Sequence, residues 1–113
     1  MDAVFIELPP FQNHRAEYLT DEEFSQLQQL LLANPACGDV IQHTGGLRKV
    51  RFADARRGKG KRGGIRVIYY WWTEHAHFLL FTLYDKNEAA DLSPQQRTML
   101  RAMLNILKGG GTL

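Results

Sequence analysis

The sequence contains a single cysteine among its 113 residues and no long apolar run. Cys37 alone cannot form an internal disulfide or a zinc site of several thiolates, so we expect a fold that depends on apolar packing in a reducing cytoplasm. No stretch approaches the ~20 apolar residues of a membrane helix, and the N-terminus lacks the basic start and apolar core of a signal peptide. At this length we expect one domain, residues 1–113, that is soluble and cytoplasmic.

The sequence also has few of the residue combinations that carry metal or covalent chemistry. It shows no signature of paired carboxylates, of a cysteine with a histidine, or of a serine with a histidine. His75 and His77 could chelate a metal or serve as acid and base, but Glu74 is the one carboxylate near them, and decoration of a turn is the favoured interpretation. We therefore expect any chemistry to be cationic, with no metal and no cofactor.

Net charge is low, at +2, but it is strongly segregated along the chain. Residues 48–66 hold nine basic side chains and one acidic one, which gives +8 in 19 residues, whereas the remaining 94 residues carry −6. So dense a basic segment repels itself unless it binds a polyanion, and a nucleic-acid or phosphate partner is the first hypothesis. The alternative is a solvated basic loop at 53–64, whose glycine spacing is not that of a phosphate-binding P-loop.

Hydrophobic periodicity and cap signals predict an α+β fold with the order β-α-α-β-β-β-α. Thr20 with Glu23, and Ser93 with Gln96, form capping boxes that begin two of the helices. We expect a small, largely antiparallel sheet packed by helices on one face, with the first strand near an edge, the third as a central strand, and a loop at 39–41. The predicted strands are 4–8, 47–52, 65–72 and 78–84, and the predicted helices are 11–19, 21–33 and 94–108.

Three cations of the basic segment are candidates for a phosphate site. Lys49 and Arg51 lie on one face of the second strand, and Arg66 begins the next strand of a long-looped hairpin, so the three side chains are expected to converge. Convergent cations stabilise the charge that develops when a phosphodiester is cleaved, and arginine binds phosphate through a bidentate fork. Crowding by cations would disfavour the ammonium form of Lys49 and make it a general base. The alternative is a set of ordinary surface cations.

The end of the last predicted strand carries a cluster of Tyr84, Asp85, Lys86 and Asn87. Residues at the end of a rigid strand are well placed to act on a ligand, and Tyr84 offers a ring for stacking on an unpaired base. The alternative, which these residues alone favour, is a half-buried tyrosine followed by a turn.

Five short motifs, taken in order, resemble the RelE superfamily of type II toxins, and most of all its HigB-like branch. The resemblance extends over nearly the whole chain and depends on the order and spacing of the motifs, since each is short. They are Tyr-Leu-Thr-Asp-Glu-Glu at 18–23, Thr-Gly-Gly-Leu-Arg-Lys-Val-Arg at 44–51, Gly-Ile-Arg-Val-Ile-Tyr-Tyr at 64–70, Leu-Tyr-Asp-Lys-Asn-Glu at 83–88 and Asp-Leu-Ser at 91–93.

The resemblance implies a RelE-like, microbial ribonuclease-type fold and a ribosome-dependent mRNA endonuclease. In RelE-like toxins two basic residues of the second strand act at the scissile phosphate, and they correspond to Lys49 and Arg51, while the phosphate-stabilising arginine corresponds to Arg66. Cleavage in the family is metal-free. The ribose 2′-hydroxyl attacks the adjacent phosphate and leaves a cyclic phosphate and a free 5′-hydroxyl.

The sequence departs from the family pattern at two positions. A further arginine of some relatives falls at Asn87, and their catalytic tyrosine falls near Ser93, which leaves the general acid unassigned. We expect Tyr84 to take the stacking role and Lys86 to supply the positive charge, so that both join the three cations in the catalytic set. Seven other residues are expected to bind RNA: Arg48, Arg56, Arg57, Lys59, Lys61, Arg62 and Asn87.

The resemblance also implies partners. One partner is the ribosome with mRNA in its A site. The other is a cognate antitoxin of helix-turn-helix type, encoded beside the toxin. Operator DNA is expected to be bound only through this antitoxin. Two other functions stay open. A gyrase-poisoning toxin of the ParE type shares the fold but has less need of three phosphate-binding cations. A non-catalytic RNA-binding module, or an inactivated toxin, would keep the basic segment and would not arrest growth.

Overall fold

The computed structural model describes residues 2–52, 64–86, 88–89 and 91–109. Every predicted strand and helix is present, with ends within two residues of the predicted ones, and one additional strand occurs. None of the helices in these ranges has the length and apolarity needed to cross a bilayer. The elements are β1 (Val4–Glu7), α1 (Pro9–Tyr18), α2 (Asp21–Ala33), β2 (Asp39–Val40), β3 (Arg48–Phe52), β4 (Ile65–Trp72), a 3₁₀ turn (Thr73–His75), β5 (His77–Asp85) and α3 (Pro94–Leu107).

The five strands form one sheet in the order β1-β5-β4-β3-β2. β1 pairs with β5 in parallel, and the other three pairs are antiparallel. The α+β class with a largely antiparallel sheet is therefore confirmed. β4 is the central strand and β1 lies at an edge, as predicted. Pro9 and Pro10 end β1, because proline cannot donate a hydrogen bond to a strand ladder.

Two hydrophobic cores lie on opposite faces of the sheet. α1 and α2 pack into the first core, which contains Phe11 and, from β4, Tyr69. α3 packs into the second core, which contains Leu104 and, from β4, Ile68. Because successive side chains of a strand point to opposite faces, Ile68 and Tyr69 place the two cores on the two sides of the sheet. The prediction of helices on one face is therefore wrong, since an apolar stripe on a helix does not say which face of a sheet it covers.

The capping boxes predicted at the N-termini of α2 and α3 are both present. The Glu23 amide donates to the Thr20 hydroxyl at 3.1 Å, and the Thr20 amide donates to the Glu23 carboxylate at 2.8 Å. Ser93 and Gln96 make the same reciprocal pair, also at 3.1 and 2.8 Å. The second box sets the residue at which α3 begins after the segment that follows β5.

The stretch before β3, expected to be a loop, includes the two-residue strand β2. Tyr69 holds this stretch against the sheet, since its phenol donates to the Pro35 carbonyl at 2.7 Å and accepts from the Gly38 amide at 3.0 Å. A Cβ at Gly38 would lie 2.8 Å from the Tyr69 ring, so the approach requires glycine. Burial is the main cause that raises the pKa of Tyr69 to about 12, so the phenol keeps its proton. Pairing of β2 with β3 then places Asp39 opposite Lys49.

Candidate active site

The pairing register of three strands places predicted catalytic residues in one row. Arg51 of β3 pairs with Arg66 of β4, which pairs in turn with Tyr84 of β5. Directly paired residues project from the same face of a sheet, so the three side chains stand side by side. Lys49, two residues before Arg51, projects from that face as well. The predicted convergence of Lys49, Arg51 and Arg66 is therefore confirmed as geometry, while their catalytic roles stay predictions.

A bulge in β5 places Tyr84 in the row with Arg51 and Arg66. At one point β4 advances by one residue while β5 advances by two, and Phe81 is left without a partner on β4. Had the register nearer the hairpin turn continued, Arg66 would pair with Leu83 instead of Tyr84. An extra residue of this kind re-aims the side chains that follow it. Alternation in the sequence does not reveal it, because the strand is apolar on both sides of the bulge.

Four of the five predicted catalytic side chains line a single cleft of about 280 Å³. Lys86 reaches it from the end of β5, where its amide donates to the Gly64 carbonyl at 3.4 Å. Within the described ranges, no group of three or more His, Cys, Asp or Glu could hold a metal ion. With four cations and one carboxylate, the cleft has the charge to bind a phosphate group. Its lining residues are Asp39, Lys49, Arg51, Arg66 and Lys86.

Arg66 is the buried member of the cleft, with 5% of its surface exposed. Its Nη1 donates to the Gly64 carbonyl at 3.3 Å, and no ion pair joins it to a carboxylate among the described residues. Burial first, and Arg51 second, lower the pKa of Arg66, while Tyr84 acts in the opposite sense. Arginine nevertheless stays charged in proteins. Folding therefore buries a positive charge that a bound phosphate would neutralise.

Tyr84 is half-buried, and its hydroxyl is closed off from solvent without a hydrogen-bond partner in the part of the chain that the structure describes. Burial, followed by the Asp91 carboxylate, raises the pKa of Tyr84, against the opposite effects of Arg66 and Arg97. The phenol is therefore protonated at neutral pH. Its ring also borders a second cavity, of about 210 Å³, that Asp91 borders as well.

Asp91, to which sequence reasoning assigned no role, lies against Lys49. Its Oδ1 is 3.4 Å from the Lys49 Nζ, and its Oδ2 is 3.1 Å from Nη2 of Arg97 in α3. The prediction of a general base at Lys49 depended on crowding by other cations. The structure shows a carboxylate next to the ammonium as well, and the general-base role stays a prediction. The Asp-Leu-Ser motif was the one sequence signal for this residue, since 42 positions separate Asp91 from Lys49.

Arg48, predicted to bind RNA, is not in the cleft. It pairs with Tyr69 of the first core, so it projects from the face opposite to Lys49. Its Nη1 donates to the carbonyls of Gly38 at 2.8 Å and Ala36 at 3.3 Å. Arg48 therefore ties the stretch before β2 to β3, and its contact with RNA stays a prediction.

The remaining predicted residues are either outside the described ranges or away from the cleft. His75 packs edge-on against Trp72, with ring centroids 4.1 Å apart, and stacks with His77 at 5.7 Å. His75 lies in the turn, as the favoured interpretation predicts, whereas His77 is the first residue of β5. Six predicted RNA-binding residues lie outside the described residues: Arg56, Arg57, Lys59, Lys61, Arg62 and Asn87.

No protein-family model matches the chain. Among solved structures, the chain is similar to the free state of the E. coli toxin RelE, in a mutant in which two arginines are replaced by alanine. The TM-score is 0.55 and the sequence identity is 12%. The match covers 80% of this chain and 90% of the RelE chain. At this identity the similarity shows a shared fold, so the predicted RelE-like fold is confirmed. The HigB-like branch stays a prediction.

Proposed function

We propose that this chain, which shares the RelE fold, is the toxin of a type II toxin–antitoxin system and a ribosome-dependent, metal-independent mRNA endonuclease. One observation carries the proposal. Four of the five residues predicted to be catalytic line one cleft, and the fifth, Tyr84, stands beside Arg66 in the same row. Cations that lie this close together repel each other, and a bound phosphate would remove that repulsion.

The proposed reaction is transesterification within the RNA chain. The ribose 2′-oxygen forms a bond to the adjacent phosphorus and gives its proton to a solvent water molecule. The bond from phosphorus to the 5′-oxygen breaks, and the 5′-oxygen takes up a proton from an ammonium group of the cleft. The products are a 2′,3′-cyclic phosphate and a 5′-hydroxyl. Negative charge accumulates on the phosphoryl oxygens in the transition state, so fixed cations are the groups that the reaction needs most.

The cleft residues divide this work. Arg66, held by burial and by the Gly64 carbonyl, presents a preorganised guanidinium, and Arg51 adds a second one beside it. The ammonium groups of Lys49 and Lys86 stabilise the phosphate and can supply the proton that the 5′-oxygen takes up. Tyr84 offers its ring to an unstacked base next to the scissile phosphate.

The partners follow from the same proposal. A ribosome would present mRNA to the cleft from its A site, and the basic residues of 48–66 would bind ribosomal RNA with an affinity that falls as salt rises. A helix-turn-helix antitoxin encoded in the adjacent reading frame would neutralise the toxin and would alone contact operator DNA. Co-expression of that frame is expected to relieve the growth arrest that the chain causes by itself.

The decisive experiment is translation of a defined message with purified components and mapping of the cut sites. Arg66→Met keeps side-chain bulk and removes the guanidinium, whereas Arg101→Gln removes an exposed charge of α3 and serves as the matched control. We expect cuts within codons only when ribosomes are present, a loss of at least ~100-fold with Arg66→Met, and cleavage by Arg101→Gln close to that of the unmodified chain.

Three results would contradict the proposal. Equal cutting of free RNA without ribosomes would remove the ribosome requirement, and undiminished cutting by Arg66→Met would remove its catalytic role. Accumulation of DNA breaks with intact messages in expressing cells would favour a gyrase-poisoning toxin of the ParE type. Induction without growth arrest would favour a non-catalytic RNA-binding module.

A further inference from the structure

One carboxylate links the cationic cleft to α3. Asp91 uses both of its oxygens: Oδ1 lies 3.4 Å from the Lys49 Nζ and accepts from the Leu92 amide at 2.8 Å, and Oδ2 accepts from Nη2 of Arg97 at 3.1 Å. Lys49 belongs to β3 and Arg97 to the first turn of α3. The carboxylate thus joins a candidate catalytic cation to an element of the second core.

Asp91 is ionised at neutral pH. Burial opposes its ionisation, but the Leu92 amide and the neighbouring Lys49 and Arg97 cations outweigh burial and lower the pKa of Asp91. A permanent negative charge beside a phosphate site weakens the binding of an RNA phosphate by Coulomb repulsion. That cost must be offset by a contribution that the carboxylate makes to the site.

Lys49 differs from the other cleft cations in having this partner. Arg51 and Lys86 form no ion pair with any of the described residues, and Arg66 is held by burial and the Gly64 carbonyl. A lysine side chain has four rotatable bonds, and repulsion by neighbouring guanidinium groups would drive a free ammonium out of the cleft into solvent. An ammonium contributes to a transition state only if it is held near the reacting phosphate.

We propose that Asp91 is a positioning residue, which holds the Lys49 ammonium at the phosphate cleft and is itself held by Arg97. The inference rests on the proposed function for its effect on RNA cleavage. Asp91 does not touch the phosphate, and it acts through Lys49.

Asp39 provides the matched comparison. It also borders the cleft and stands opposite Lys49 across the β2–β3 pair, but it makes no ion pair with Lys49. Asp39→Asn and Asp91→Asn therefore remove the same charge from two carboxylates near Lys49, of which one forms the ion pair. Asp91→Asn keeps an oxygen that can accept from the Leu92 amide, so the change tests the charge and not the turn before α3.

The experiment measures single-turnover cleavage of ribosome-bound mRNA at several ribosome concentrations. We expect Asp91→Asn to reduce the maximal rate by roughly 10- to 100-fold, because Lys49 is no longer aimed, with little change in the half-saturating concentration. Asp91→Glu, which keeps the charge, is expected to restore most of the rate. Asp39→Asn is expected to improve binding about twofold, since a repelling charge is removed. An unchanged or increased maximal rate with Asp91→Asn would overturn the inference.

A second measurement separates this inference from the proposed function. NMR spectra of protein with ¹⁵N- and ¹³C-labelled lysine report the order of the Lys49 side chain without any substrate. We expect that order to fall in Asp91→Asn and to be kept in Asp91→Glu and Asp39→Asn. If the unmodified chain cuts no mRNA, the proposed function fails while the NMR comparison still decides the positioning. Equal order of Lys49 in Asp91→Asn and the unmodified chain would overturn it.

Discussion

Arg48 and Arg66 lie on adjacent strands of one sheet, and the fold uses them in opposite ways. Arg48 projects toward the first core and donates to the carbonyls of Ala36 and Gly38. Arg66 projects from the other face, is more deeply buried, and has beside it Arg51 and one carbonyl at 3.3 Å. Among the described residues, the Arg48 guanidinium donates to two carbonyls and the Arg66 guanidinium donates to one.

The difference teaches how to separate structural from functional cations in this protein. The half-buried Arg48 adds stabilising hydrogen bonds to carbonyls of the chain, whereas the buried Arg66, next to another cation, costs stability until an anion binds. Removing Arg48 should therefore cost stability, and removing Arg66 should cost activity. Variants at these positions, at Tyr84 and at Asp91 test that division.

Arg66→Met is expected to separate activity from stability most clearly. Cleavage should fall at least ~100-fold, because a fixed cation is lost from the transition state. The free energy of unfolding should be unchanged or higher by about 1 kcal/mol. The reason is that burial holds the pKa of Arg66 below its usual value, so the charged side chain is less stable in the folded chain than in water. Denaturant unfolding and cleavage assays on the same preparation check both. A variant that loses stability and activity together would break the comparison.

Tyr84 is expected to show whether its ring or its hydroxyl matters. Stacking on a base contributes about 1–3 kcal/mol, so Tyr84→Ala should reduce cleavage by roughly tenfold or more. Tyr84→Phe keeps the ring and removes a buried hydroxyl that has no partner among the described residues, so it should stay within about threefold and should not lower stability. A loss with Tyr84→Phe as large as that with Tyr84→Ala would instead assign proton donation to the phenol.

Arg48→Met is expected to be the counterpart of Arg66→Met. It removes two hydrogen bonds from a charged donor to carbonyls, so the free energy of unfolding should fall by about 1–2 kcal/mol. Cleavage by the folded fraction should fall less than tenfold. Arg101→Gln, at an exposed position of α3, should change stability by less than about 0.5 kcal/mol. If Arg48→Met loses no more stability than Arg101→Gln, then Arg48 does not have the structural role assigned to it.

Acid is expected to weaken the ion pairs of Asp91 with Lys49 and Arg97, with a small effect on the free energy of unfolding. The pKa of Asp91 is lower in the folded chain than its ordinary value, so the folded state binds fewer protons than the unfolded state. This difference stabilises the fold above about pH 4, and the stabilisation is lost as pH falls toward the pKa of the folded chain. The free energies of unfolding of the unmodified chain and Asp91→Asn should therefore differ most near neutral pH and converge in acid. Parallel curves between pH 3 and pH 7 would show that the ion pair contributes no stability.

Local features of the sequence account for most of the elements. The capping boxes at Thr20 and Ser93 predict the starts of α2 and α3, because a cap involves residues three positions apart. The apolar run at 65–72 predicts a central strand, because a strand covered on both faces needs apolar side chains on both. Strand alternation also predicts that Lys49 and Arg51 share a face, whereas the placement of Arg66 on that face depends on the β3–β4 register, which the structure provides.

The tertiary structure alone decided the details that complete the site. The bulge in β5 that sets Tyr84 beside Arg66, the strand β2 that brings Asp39 to Lys49, and the Asp91 carboxylate between β3 and α3 each depend on contacts between distant parts of the chain. So does the placement of α3 on the face opposite to α1 and α2. The sequence alone was enough to predict which elements form and that Lys49 and Arg51 share a face, because those properties arise from neighbours along the chain. Packing determined which charges are given partners, because a partner is chosen by position in space.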